Sequence, residues 1–591
     1  MTETTAAIYG SYNARSVDPA DVAKGFVAPP QFWEIIPQAN TVLSGPRGSG
    51  KTTLLKMLES RALDRWPDDR AQRARDVVTY SGVFVPADRS WSGQVETATE
   101  HLESALRTAA GLTAFTLHIL RALSACAAYR IKEREGTRHD FAEIDRHREE
   151  QIARDVWRMW ALPAPVGSFS GLRHALGDLL AEFGQLTRRA RFSTTALSEL
   201  TDHPAMGLHP VQSVVPFIDR FNDAAGQDSH VWMFLIDEVE FLPPLIRSDI
   251  LSLMRGNDPR VMQKISLAPY TLVQSDDDPL GGWVGHDFQR VDLSFPEKER
   301  SYDFNAGLVE ADLRHNNIDA TPEEILGGVG VFENPAGEDA YLEDSQNATH
   351  IADLSDKDAA FRDWLKKHGI NPRSPSDLTG INRAATLRKA MPIIILRDEF
   401  LHPVNGQLQY RSRKNPQTYV GAYSIYAICE GNPRLLKALV ARLISLRENG
   451  QLDGSRRAEA VFRASEEYTL HLRALTLPEA LPEALLPRAL VESIGAHFKQ
   501  QVYGPRFDPE PALSFEVSDD DLATPGLRDV LWQMINYGAF VPTGERRFRL
   551  AHMFAPKFSL PLRRGRPHAL RRMIGLVPSR DQMPLGEGGD A

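Results

Sequence analysis

Gly45-Pro46-Arg47-Gly48-Ser49-Gly50-Lys51-Thr52 fits G-x-x-x-x-G-K-[ST] at every fixed position. The chemistry of a phosphate chain explains the residue types. Glycines let a backbone curl around an anion through conformations that a Cβ forbids. The amides of such a loop point inward, and the helix behind it presents its positive end. In this pattern Lys51 reaches the β- and γ-phosphates, and the Thr52 hydroxyl is a ligand for Mg²⁺. Gly45 through Thr52, with Thr53, are the expected nucleotide contacts. Thr41-Val-Leu-Ser44 ahead of the loop reads as a strand. Leu54, Leu55 and Leu58 behind it share one face of a helix starting near Lys51.

A second stretch completes the pattern. Val231-Trp-Met-Phe-Leu-Ile-Asp237-Glu238 is an apolar run closed by two acids, the Walker B arrangement. A run this apolar reads as a strand buried on both faces of a parallel sheet. Asp237 at its carboxyl end is expected to orient Mg²⁺ through its water shell. Glu238 can polarise a water for attack on the γ-phosphate, so hydrolysis is expected as well as binding. Lys51 and Glu238 are the expected catalytic residues. About 30 residues on, Lys264-Ile-Ser-Leu-Ala-Pro-Tyr-Thr271 reads as a strand that offers Ser266 and Thr271 as polar sensors of the nucleotide. Ser168-Phe-Ser-Gly-Leu-Arg173 does not supply the LSGGQ signature of an ABC or SMC ATPase, and no N-K-x-D base-reading motif occurs.

The loop with its extension to Lys56, the upstream Tyr12-Asn-Ala-Arg15 and Phe26-Val27, and Leu235-Ile-Asp-Glu-Val-Glu240 resemble a bacterial branch of the AAA+ ATPases related to the origin-recognition and replication-initiator group. Gly431-Asn-Pro-Arg434-Leu-Leu resembles that group's sensor-2 element, which implies that Arg434 reaches the nucleotide from a helical lid. The resemblance covers roughly 10–90, 228–300 and 420–445. It implies an α/β P-loop core with a three-layer parallel sheet, Mg-ATP as ligand, and self-association with a trans-acting arginine. Arg255 and Arg260 stand where it would place that arginine. Lys51 and Asp237 are 186 positions apart, more than a compact core needs, so a helical insertion over about 92–225 is expected as a partner surface.

The rest of the chain sets bounds. It has 591 residues, 42% hydrophobic and 25% charged, which excludes a wholly disordered or collagen-like protein and predicts several domains. We expect an ATPase core over 1–300, a linker and helical lid over 301–455, a winged-helix-like domain over 456–573 and a disordered tail over 574–591. Residues 328–358 read as a long loop, and the charged Arg130-Ile-Lys-Glu-Arg-Glu-Gly as a solvated segment. Two distant cysteines, Cys126 and Cys429, fit a reducing compartment and no zinc cluster. With no visible signal peptide and only short apolar runs, a cytoplasmic protein without membrane contact is expected.

The net charge of −10 means that any nucleic-acid surface is a local patch. One exists in the text: nine Lys/Arg against one acid between Glu545 and Arg572. Arg546, Arg547, Arg549, Arg563, Arg564 and Arg566 are the expected DNA contacts, around a helix and a hairpin turning at Pro542-Thr-Gly-Glu. The resulting reading is a Mg-ATP-dependent switch, DNA-linked through defence against foreign DNA or an initiator-like role. The alternative is a signal-transducing NTPase scaffold that recruits a protein effector without touching DNA.

Overall fold

The computed structural model describes residues 17–87, 99–132, 140–243, 246–248, 250, 258–269, 288–293, 298–328, 330–333, 341–342, 345–375, 381–411, 417–475, 477 and 481–574. Two compact units divide the chain, Asn13–Ser294 and Phe295 onward.

The first unit is built on a five-stranded sheet. Its strands are β1 (Thr41–Ser44), β2 (Tyr80–Pro86), β3 (Val231–Asp237), β4 (Val261–Leu267) and β5 (Gln289–Asp292). Their order is β2-β3-β4-β1-β5, and every pairing is parallel. β1 and β3 are buried along their whole length, and Val231–Ile236 of β3 accordingly carries no charged side chain. One face of the sheet packs on Leu54, Leu55 and Leu58 behind the loop, with Phe32 and Trp66. The other face packs on the insertion.

That insertion is helical where described: Ser104–Arg130, Arg146–Trp157, Phe169–Arg189, Thr194–Thr201 and Pro210–Ala225. Ser104–Arg130 is long and apolar enough to cross a membrane, yet Phe115, Leu117, Leu120, Leu123 and Ala127 on it lie in the protein core. The insertion leaves from β2 and returns into β3, its hydrogen-bonded neighbour. At the point of departure the Ala87 N–H donates to the Asp237 carbonyl (3.0 Å), and His118 of the long helix donates to the Pro86 carbonyl (2.8 Å).

Arg130 departs from the solvated segment expected over 130–136, whereas Lys132 is exposed as expected. The Arg130 side chain is wholly buried, with the guanidinium 4.7 Å from the ring centres of both Phe221 and Trp232. Its Nε donates to the Asp140 carbonyl (2.9 Å), and a terminal nitrogen donates to Gln227. The Asp140 carboxylate in turn accepts from Ser81 of β2 (2.7 Å) and from Ser60. Residues 133–139 of that segment lie outside the described residues.

In the second unit, helices Ala422–Cys429 and Pro433–Glu448 break at Gly431 as the sequence suggests. The expected loop over 328–358 is in part a helix, Gln346–Lys357, with Ala348, Ile351 and Leu354 turned to the core. Its neighbour Ala359–His368 is capped by Asp358. Asp358 also receives both Nε and a terminal nitrogen of buried Arg397 (2.9 and 2.6 Å). Another Arg397 nitrogen donates to the carbonyls of Val502 and Gly504.

The C-terminal part runs helix Pro487–Tyr503, β8 (Ala512–Glu516), helices Asp519–Leu522 and Leu527–Tyr537, then β9 (Phe540–Gly544), β10 (Arg547–Leu550) and β11 (Arg566–Ala569); β6 and β7 form a separate hairpin at Leu401–Tyr410. The four-stranded sheet has the order β11-β8-β10-β9. The β9–β10 turn falls at Glu545-Arg546, two residues later than expected. Pro542 sits inside β9, an edge strand, where its missing N–H leaves no ladder bond unmade. Buried tyrosines fasten this part to the helices before it: Tyr419 donates to the Leu560 carbonyl and Tyr503 to the Ser559 carbonyl, both at 2.8 Å.

Candidate active site

The sheet order places the ends of β1, β4 and β3 side by side, so the loop after β1 and the acids after β3 share one edge. Such an edge, at the carboxyl ends of parallel strands, is where α/β sheets bind ligands. Gly48 and Gly50 adopt φ of 88° and 93°, values that L side chains rarely tolerate. At Gly45 a Cβ would come within 2.5 Å of Ser49 Oγ and 3.0 Å of Leu293 Cβ. The fixed glycines of the pattern are therefore required by the chain's own packing as well as by a ligand.

Lys51 is 8% exposed. Its ammonium folds back over the loop, donating to the Gly45 carbonyl at 2.5 Å and the Pro46 carbonyl at 3.3 Å. Ser49 Oγ is buried and has no hydrogen-bond partner among the described residues. Arg47 is exposed at the loop's tip, and Thr53 is half-buried on the helix behind it. A cradle of left-handed glycines, an inward lysine and an orphaned hydroxyl fits a bound anion.

Thr52 Oγ1 donates to Asp237 Oδ2 at 2.7 Å across 185 positions of sequence. The loop and the acidic strand therefore meet. Asp237 is 1% exposed, and its other oxygen accepts from Ser266 Oγ at 2.6 Å. The same Ser266 hydroxyl accepts the Glu238 N–H at 2.7 Å. Ser266 thus lies behind the acidic pair, with its hydroxyl engaged by both acids. Glu238 has φ 59° and ψ 47°, a left-handed conformation uncommon for a side chain of its kind. The hydroxyl and carboxylate set fits a hard cation such as Mg²⁺, which prefers oxygen ligands.

Glu240 belongs to this edge and was missed as a site residue, although it ends the quoted Leu235–Glu240 stretch. The short 3₁₀ turn Val239–Phe241 carries it back toward the loop. Burial pushes its carboxyl above the usual range, opposed by the nearby Lys51 ammonium and reinforced by Asp237. The third acid in the run was the available signal.

The two arginine candidates separate. Arg260 is paired with Asp258 (2.7 Å) and with Asp219 of helix Pro210–Ala225 (2.6 Å), which hold its guanidinium above its ordinary pKa. Arg255, like Thr271, lies outside the described residues. Arg434 belongs to the second unit, at the start of helix Pro433–Glu448. Asn432 caps that helix by accepting the Arg434 and Leu435 N–H groups.

Most of the C-terminal arginines have partners within their own unit. Arg549 pairs with Glu430, and Arg566 with Asp508. Arg563 donates to the carbonyls of Lys389 and Pro509. Arg546 pairs with Asp519 (2.8 Å) and Arg547 faces Glu516 (3.6 Å), both pairs in solvent. Arg564 is exposed. The balancing acids come from 430 and 508–519, so a charge count over 545–572 alone misses them.

No curated protein matches the chain. The model of the ORC-CDC6-like family matches residues 7–570, nearly the whole length, and agrees with the parallel sheet and the meeting of loop and acids. The chain belongs to the ORC-CDC6-like family of AAA+ ATPases.

Proposed function

We propose that this protein is a Mg-ATP-dependent switch that hydrolyses ATP to ADP and phosphate. The Thr52–Asp237 contact carries the reading, because it brings the phosphate loop and the acidic strand into one site. Thr52 and Asp237 would hold Mg²⁺. When bound, the ion withdraws charge from the phosphate oxygens. Lys51 exchanges the Gly45 and Pro46 carbonyls for phosphate oxygens. Glu238, aimed by its left-handed backbone, polarises the attacking water, and Ser266 acts on the nucleotide through Asp237 and Glu238.

The succession helix, strand, two helices and hairpin over 487–550 supports a winged-helix reading of the C-terminal part. Arg546, Arg547, Arg564 and Arg566, the exposed ones of the six, are its DNA contacts. Self-association and a protein partner on the helical insertion complete the proposal, in defence against foreign DNA or in an initiator-like role. The engagement of Arg549 and Arg563 inside the fold favours the second reading, a scaffold that recruits a protein effector without touching DNA.

The experiment measures nucleotide binding, ATP turnover and salt-dependent DNA retention on one preparation. Lys51→Ala is expected to lose binding. Glu238→Gln is expected to bind normally and turn over at least about tenfold more slowly, the contribution of a positioned base being about 10²–10⁴-fold. Equal ATPase rates in Glu238→Gln and wild type remove Glu238 from catalysis. Absence of DNA retention at low salt, with and without ATP, decides for the scaffold.

A further inference from the structure

Alternation along β4 turns Val261, Gln263, Ile265 and Leu267 to the sheet face that packs on the insertion. Gln263 is the polar residue in that row, and it is only 3% exposed. Its backbone N–H donates to Asn40 (2.8 Å), but its side-chain oxygen is buried with no hydrogen-bond partner among the described residues. A buried polar atom is costly to leave unbonded, so this one marks a place where a further group bonds it.

Gln263 lines a cavity between the sheet and the insertion. β3 contributes Phe234 and Ile236, helix Ser104–Arg130 contributes Phe115 and Ile119, and helix Pro210–Ala225 contributes Val214 and Val215. The empty space is about 510 Å³, the open mouth included. Among the described residues of the lining, Asp258 and Gln263 carry the polar side chains. Arg260 engages both Asp258 oxygens, which leaves Gln263 as the handle. The surrounding elements are tied in place. Arg260 also pairs with Asp219 of helix Pro210–Ala225 (2.6 Å). Thr116 donates to the Leu208 carbonyl just ahead of that helix (3.2 Å). These ties resist collapse of the gap, and a largely preformed apolar pocket with one placed polar group is the usual form of a small-molecule site.

We propose that this cavity binds a small, mostly apolar molecule, about the size of an aromatic ring, that donates an N–H or O–H to Gln263. The lining disfavours charged ligands, because burying a charge without a partner is costly. The site therefore takes a different chemical class from the phosphate loop. Ile236 precedes Asp237 in β3, so the ligand packs against the strand that ends in the acidic pair. The binding itself does not depend on nucleotide.

The test uses the full chain with phenol and toluene, which share a ring and differ in one donor. Affinity is read by ligand-observed NMR titration. Wild type is expected to bind both with Kd below about 1 mM. Gln263→Leu keeps much of the side chain's bulk and removes the acceptor. It is expected to retain toluene and to lower phenol affinity relative to toluene by about tenfold, since the phenol hydroxyl is then buried unbonded. Val215 is half-buried on the lining, and Val215→Trp is expected to weaken both probes several-fold by filling the space. Wild type that binds neither probe overturns the proposal. An unchanged phenol-to-toluene ratio in Gln263→Leu means a packing void with no built handle and overturns it too. So does a Val215→Trp protein that binds both probes like wild type.

Discussion

Ser266→Ala asks whether the acidic pair depends on the hydroxyl behind it. The wild-type hydroxyl is fully buried, donates to Asp237 and accepts the Glu238 N–H. A hydrogen bond to a charged group contributes about 1.5–3 kcal/mol, and leaving a buried amide without its acceptor costs about 1–3 kcal/mol more. Water entering the small void recovers part of this, so a net loss of about 2–4 kcal/mol is reasonable. If half of it falls on the transition state, where Glu238 is proposed to aim a water, kcat drops about 5–30-fold, since each 1.36 kcal/mol is tenfold. The loop itself is untouched, so nucleotide affinity should stay within about threefold. Steady-state ATPase assays and titration with a fluorescent nucleotide separate the two quantities. Ser266→Thr keeps the hydroxyl and should recover most of the rate. A Ser266→Ala protein with wild-type kcat refutes the positioning role, as does a Thr variant as slow as the Ala one.

Two further predictions concern buried cations in the first unit. Lys264 is fully buried in β4, its ammonium donating to the Pro37 and Ala39 carbonyls at 2.8 Å, and burial lowers its pKa from 10.5 to about 7. The unfolded chain binds that proton more tightly, so this group destabilises the fold below about pH 7, and the penalty is relieved as pH rises toward 10.5. Lys264→Met should flatten this rise in melts between pH 7 and 9; an unchanged slope refutes the assignment. Arg130→Met leaves Asp140 buried without its cation, a loss of about 3–5 kcal/mol seen as a lower melting temperature. Asp140→Asn in the same protein should restore part of it, and a single variant as stable as wild type would sink the anchoring role.

The phosphate loop and the Asp237-Glu238 strand were legible because their chemistry demands particular residues at fixed local spacing. Their meeting followed from the strand order of the class they imply. What stayed hidden depends on contacts between distant segments. Arg130 carries the same letter as a solvated arginine, and only the approach of Phe221, Trp232 and Asp140 buries it. The arginines of 545–572 looked unbalanced because Glu430, Asp508 and Asp519 lie elsewhere in the text. Helix Gln346–Lys357 was masked by the polar residues around it, although Ala348, Ile351 and Leu354 have helical spacing. Ser266 was found, but a strand residue's letter does not say whether its hydroxyl faces the ligand or the neighbouring strand.

The route by which the chain enters its insertion bears on how a load reaches the catalytic edge. Ala87, the first residue past β2, is bonded to the peptide of Asp237, and His118 braces the residue before it. A pull on the His118 turn of the long helix would reach the peptide of Asp237, the acid proposed to hold the metal, through two hydrogen bonds and the one peptide unit between them. The insertion is thus tied by its backbone to the strand end that carries the candidate site.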